Sequence, residues 1–172
     1  MRLYDQRWIS SGEGRFTSGS KNVKLCEVCG DNQTCNILAS LGHQAEKFLV
    51  NVQVSACGLY APVLSFRDGT GLSGTFNTFR RGQAWHARVE IGRRVRMFSL
   101  EMEEFLGSGV VKEKFLGSLS DLLPRHAAMN HLMKGDLTDD APDRLMKVLQ
   151  VLYGKNFASA DTIFSVLYIE TG

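Results

Sequence analysis

Cys26 and Cys29, followed by Gly30, give this 172-residue chain one segment with the shape of a metal knuckle. Two thiolates separated by two residues can share one ion, and zinc suits such a pair. Completing a tetrahedral site would take Cys35 and His43 as well, in the spacing C-x2-C-x5-C-x7-H. That spacing is not a familiar finger. Cys26 and Cys29 therefore stand as candidate zinc ligands beside a plainer alternative, two reduced thiols in a loop. A thioredoxin-like redox pair is not expected, because the strand-then-helix context is missing.

Catalysis finds no comparable constellation. His86 lies in a segment of alternating polarity, and His126 and His131 lie in a stretch of helical spacing. None is flanked by a nucleophile elbow or a glycine cradle. The run GTGLSG at Gly69–Gly74 lacks the lysine and the helix of a phosphate loop. Glu101, Glu103 and Glu104 crowd a predicted helix start, where carboxylates are favourable against the helix dipole. A non-enzymatic protein is expected.

The arginines are more informative. Arg80, Arg81, Arg88, Arg93, Arg94 and Arg96 are opposed across their stretch by Glu90 alone, while Asp136, Asp139, Asp140 and Asp143 come later. A net charge of +2 hides this asymmetry. A basic stripe is an electrostatic footprint for a polyanion; it is also how an exposed strand edge is kept from pairing with another chain. With Tyr153 and Lys155 at an expected loop mouth, these six arginines are the candidate nucleic-acid contacts. Strand alternation would place Trp85 inside with Ala87, Val89 and Ile91, and Arg88 outside with Ala84, His86 and Glu90. Single-strand binding needs charges for phosphates and flat faces for bases, each stacked base contributing about 1–3 kcal/mol.

The elements that must position these residues are mostly short strands. Hydrophobic content of 44% with 22% charged residues is ordinary for a globular domain. No apolar run approaches the roughly eighteen residues of a membrane span, and no secretory leader is legible at the start. Residues 1–45 read as a flexible leader with a cysteine-containing segment, and residues 46–172 as the folded body. Strands are predicted at Phe48–Ala56, Ala61–Phe66, Leu72–Phe79, Gln83–Ile91 and Val95–Leu100, the second and third forming a hairpin across Arg67–Gly71. A helical turn, Met102–Leu106, closes on Gly107. Val111, Phe115 and Leu119 then suggest a helix over Val110–Leu123, stopped by Pro124 and followed by a second short helix or a kinked continuation to Met133. Gly135–Asp143 reads as a loop, Arg144–Tyr153 as a strand in preference to a helix, and Thr162–Glu170 as a strand.

In order and spacing these elements resemble the C-terminal DNA-binding domain of the replication protein A large subunit. The matching pieces are Phe48–Ala56, an insertion at Cys57–Gly82, Ala84–Ile91, Val95–Leu100, the helix MEEFLG, and the closing pair LMKVLQVLYG and TIFSVLYIETG. Residue-level similarity is confined to FSLEMEEFLG. Within that family the chain looks most like the C-terminal OB domain of the OB-fold subunit of the shieldin complex, with the meiosis-specific OB protein a further candidate. The resemblance implies a mainly β (α+β) OB-fold antiparallel barrel, with a ribbon insertion and a helical insertion before the last two strands. The family's ribbon carries two cysteine pairs; this one has no cysteine beyond Cys57, so it would be degenerate, held by Leu59, Tyr60, Val63, Leu64, Phe66, Phe76 and Phe79.

The function so implied is single-stranded DNA binding and subunit assembly in nuclear double-strand-break repair. The implied partners are single-stranded DNA and a protein in a hetero-complex, the small shieldin subunit if the resemblance holds, with no membrane. A partner surface is expected over residues 110–133, on Phe115, Leu119, Leu122, Leu123, Met129, Leu132 and Met133, although such a stripe can equally be core. The alternative function is a pure assembly module that binds a partner helix there and no DNA.

Overall fold

A computed structural model describes residues 14–16, 31, 35, 54–57, 61–134 and 139–172. The chain divides into two compact units, residues 1–64 with 94–96, and residues 65–93 with 97–172. In the first, strand β1 (Gly14–Phe16) pairs antiparallel with β2 (Val54–Cys57), Gly14 opposite Cys57. β2 is the tail of the strand expected over Phe48–Ala56. Residues 48–53, with Cys26, Cys29 and His43, lie outside the described residues. Ala61, Leu64 and Val95 are fully buried in this unit, where the Arg96 amide donates to the Pro62 carbonyl at 2.9 Å.

The remaining elements are β3 (Val63–Phe66), β4 (Thr75–Arg81), α1 (Ala84–Arg88), β5 (Arg94–Ser99), β6 (Glu104–Ser118), α2 (Leu119–His126), α3 (Ala141–Tyr153) and β7 (Ile163–Glu170). Short 3-10 turns follow α2 at Ala127–Met129 and α3 at Lys155–Phe157. The fold is mixed α+β, a curled half-barrel sheet of five strands in the order β3-β5-β6-β7-β4 with a few helices. Strands β5 and β7 fall where alternation predicts them. Val95, Met97 and Ser99 are buried on one side of β5, and Phe164, Val166, Leu167 and Ile169 are buried in β7.

Several expected elements fold otherwise. β3 and β4 are not a hairpin: they hold opposite edges of the strand order, and β4 pairs with β7 from Thr75 opposite Glu170 to Arg81 opposite Phe164. The stretch expected to be a ribbon insertion thus supplies two sheet strands, with Leu64, Phe66, Phe76 and Phe79 buried there. The segment Met102–Leu106 is not helical. Glu103 has a φ of 54°, which a right-handed helix does not admit, and the Ser99 hydroxyl accepts from the Met102 amide at 3.1 Å to close a turn into β6. The sequence piece most like the replication protein is therefore a strand, a turn and a strand.

The helix expected over Val110–Leu123 is mostly β6, which runs to Ser118 along β7. A register shift between Val111 and Glu113 explains the misleading spacing. It puts Val111 and Phe115, four residues apart, on opposite faces, as no regular strand would. α2 begins at Leu119 with Ser118 as its cap, the hydroxyl accepting from the Asp121 amide at 3.2 Å. Pro124 lies inside α2; the carbonyl it leaves unbonded is that of exposed Ser120, so water can serve it. Arg144–Tyr153 belongs to helix α3, with Ala141, Leu145 and Leu149 buried at four-residue intervals, Pro142 in its first turn and Gly154 at its end with a φ of 87°.

These helices cover one face of the sheet. Leu119, Leu122, Leu123, Ala127, Met133, Ala141, Leu145 and Leu149 pack with Phe79, Phe164 and Val166. Because directly opposed residues share a face, the other face carries Phe76, Thr78 and Arg80 of β4 beside Ile169, Leu167 and Ser165 of β7.

Candidate nucleic-acid interface

β4 ends in two adjacent arginines, and strand pleating sends them to opposite faces of the sheet. Arg81 stands on the helix-covered face, exposed, its guanidinium 4.9 Å above the ring of Phe157. Phe157 is 57% exposed in the turn after α3. Tyr153, half-buried, meets Phe164 edge-on with centroids 5.5 Å apart, and Lys155 beside it is exposed. One corner of the unit thus gathers Arg81, Tyr153, Lys155 and Phe157.

Arg80 points the other way. Its guanidinium lies 4.8 Å over the buried ring of Phe66, and its Nε is shut from solvent without a hydrogen-bond partner. Phe66 also meets His131 edge-on at 5.1 Å and Phe76 at 6.2 Å. The His131 Nδ1–H donates to the Thr70 carbonyl at 3.1 Å, which leaves Nε2 as the bare nitrogen of the neutral ring. Burial, and then the Arg80 charge, hold His131 below the ordinary histidine value against the pull of the Thr70 hydrogen bond and Asp68.

Past β4 the chain makes α1 where a strand is expected. Val89 is fully buried while Ile91 is 64% exposed, so alternation does not persist. Lys114 Nζ donates to the carbonyls of His86 and Val89, both at 2.9 Å, and caps the end of the helix. At its start the Ser165 hydroxyl donates to the Gly82 carbonyl at 2.6 Å and accepts from the His86 amide at 3.3 Å. Helical spacing brings Trp85 and Arg88 together, three residues apart, with the guanidinium 5.0 Å from the ring. Trp85 is half-buried and Arg88 exposed.

The six arginines of the stripe consequently separate. Arg93 pairs with Glu90 at 3.7 Å, and in the first unit Arg94 and Arg96 both pair with Asp31, Arg96 at 3.7 Å. Arg80, Arg81 and Arg88 have no ion pair among the described residues, and each lies over an aromatic ring. Asp31 is more than sixty residues from its partners, and nothing in its neighbourhood announces the pairing. Phe157 and Phe66 were also missed. Phe157 follows the loop-like Gly154-Lys155-Asn156, which was the available signal.

Of the residues expected on a partner surface, Leu119, Leu122, Leu123 and Met133 are buried in the chain's own core. Phe115 packs against that core, its ring 4.4 Å from that of His126, leaving Met129 and Leu132 at 39% and 38% exposure. Cys35 is half-buried, Cys57 ends β2, and the described residues contain no group of three metal-ligating side chains. No helix among them is long and apolar enough to cross a membrane.

No family model and no curated protein matches the chain. Among solved structures, it is similar to protein EF3133 from Enterococcus faecalis V583, described under the family model DUF984. The two share 10% identity over 80% of this chain and 88% of that one, with a TM-score of 0.46. A likeness so slight says nothing about the site.

Proposed function

We propose that this protein is a non-enzymatic module that binds single-stranded DNA at the end of β4 and along α1. One observation carries the reading: two exposed arginines, Arg81 at the end of β4 and Arg88 in the helix that follows it, each lie against an aromatic ring, Phe157 and Trp85, without a carboxylate to neutralise either arginine among the described residues. Such pairs offer a phosphate contact and a stacking face together, the two requirements of sequence-tolerant strand binding. Lys155 and Tyr153 extend the same corner. The finer assignment, an OB barrel of the shieldin kind in the nucleus with a small-subunit partner, rests on the sequence resemblance alone.

Fluorescence anisotropy of labelled single-stranded DNA across a salt series tests the reading. Each phosphate contact contributes about 0.7 to the slope of log affinity against log salt. Arg81→Glu with Arg88→Glu should abolish binding or flatten that slope by more than one contact. Arg94→Glu with Arg96→Glu should change it far less, since those charges already serve Asp31. An unchanged slope in the first pair would sink the proposal.

A further inference from the structure

Arg80 is the charge in this fold that the surface reading leaves unused. Its position on β4 faces away from the helices, among Phe66, Phe76 and His131, with Ser165 directly opposite on β7. The rings of Phe66 and His131 fix the base of the site, and Phe66 supports one face of the guanidinium. A stacked guanidinium keeps its edge free, the edge that forms parallel hydrogen bonds to an oxyanion. Here that edge has no protein partner: the described residues give Arg80 neither a carboxylate nor a hydrogen bond, Nε is closed off from water, and the side chain as a whole is half-buried.

A guanidinium whose Nε is shut from water without a partner is costly, and an oxyanion accepting from it would offset that cost. We infer that Arg80, backed by Phe66 and flanked by His131, is the seat for a single phosphate group. The bare Nε2 of His131 has no hydrogen to donate in the neutral ring, and gains one when an anion favours its protonated form. Burial lowers both the Arg80 and the His131 values, which an arriving anion would raise again. The phosphate chemistry stands on Arg80 alone. Its carrier, the backbone or the end of a DNA strand, rests on the proposed function.

Inorganic phosphate is the probe, read by thermal unfolding of the whole chain against chloride at matched ionic strength. Phosphate should raise the midpoint of the wild-type protein by a few degrees, by linkage to the folded state. Arg80→Met removes the unpaired charge and keeps the stem, so the variant should melt at or above the wild-type temperature without phosphate and show no phosphate shift. Arg80→Lys should keep a reduced shift. No shift in the wild-type protein, a shift that survives in Arg80→Met, or an Arg80→Met variant that fails to fold would each overturn the inference.

The carrier is read by anisotropy with 5′-phosphorylated and 5′-hydroxyl oligothymidylate. If the seat takes a terminal phosphate, the phosphorylated strand binds roughly tenfold more tightly and loses that advantage in Arg80→Met. If it takes a backbone phosphate, both strands bind alike and weaken alike in that variant. Either pattern supports the seat. Strand binding that Arg80→Met leaves untouched, with no phosphate shift, overturns the seat and spares the proposed function. A phosphate shift without strand binding does the reverse.

Discussion

At the scale of single residues, partners far away in sequence decide what each charge can do. Arg80 and Arg81 are neighbours in the chain, yet one lies over buried Phe66 and the other over exposed Phe157. The histidines respond to burial in the same way. His126 lies against Phe115 with Nδ1 3.0 Å from the Tyr168 hydroxyl, and burial, then Arg125, hold it below the ordinary histidine value despite Glu113. His131 is lowered as well. In both cases the unfolded chain binds the proton more readily, so stability is complete at neutral pH and falls as pH drops below about 6.5. Asp68 acts in a separate window: the Thr70 amide holds it below its ordinary value, so its contribution is present above about 3.8 and is lost at still lower pH. Thermal midpoints from pH 7 downward should show a fall near 6.5, shallower in His126→Gln. A flat profile there would contradict the burial of these rings. The unbalanced arginines were legible in the sequence; Asp31, which takes two of them, was not, because ion pairing across the fold leaves no local pattern.

Among the elements, strands buried on one side or ended by clear turns were readable, and those whose pattern fits two periods were not. β5 alternates cleanly, and β7 is a compact β-branched and aromatic run. Residues 144–153 mix valines with leucines, and propensity favours a strand, but Leu145 and Leu149 sit one turn apart on the buried side of α3. Tertiary burial outweighs propensities worth tenths of a kcal/mol per residue. The two assignments predict different behaviour. Leu145→Ala should cost about 2–5 kcal/mol in urea unfolding, while Val151→Ala, at a position 85% exposed, should cost little. A strand with strict alternation would have placed 145 and 151 on the same side and made both substitutions costly. The candidate site suffered from the same ambiguity: reading Gln83–Ile91 as a strand put Trp85 and Arg88 on opposite faces, and the helical turn brings them into contact.

Over the whole molecule, close approaches between distant segments hold the site in place. Gly71 has a φ of 68°, and a Cβ built there would lie 1.8 Å from the carbonyl oxygen of His131. The turn after β3 thereby presses against the segment that follows α2, and Thr70 beside it holds the His131 ring. Gly71→Ala should destabilise the protein by about 2–5 kcal/mol, from left-handed strain and steric overlap together. It should also reduce the phosphate-dependent rise in melting temperature, since His131, which flanks Arg80, cannot stay where it is. A variant with wild-type stability would show that this approach is looser than described. No local sequence pattern marks such a contact, although the Arg67–Gly71 turn itself was plain from its residues. Ser165 makes a comparable connection. Five residues are too few for α1 to persist alone, and its start is fastened by a hydroxyl on β7, 79 residues from His86 and 83 from Gly82. The helix that presents Trp85 and Arg88 buries none of its own residues. Its amides therefore exchange with solvent when the Ser165 and Lys114 bonds let go, and the lifetime of the binding surface is the lifetime of those few bonds.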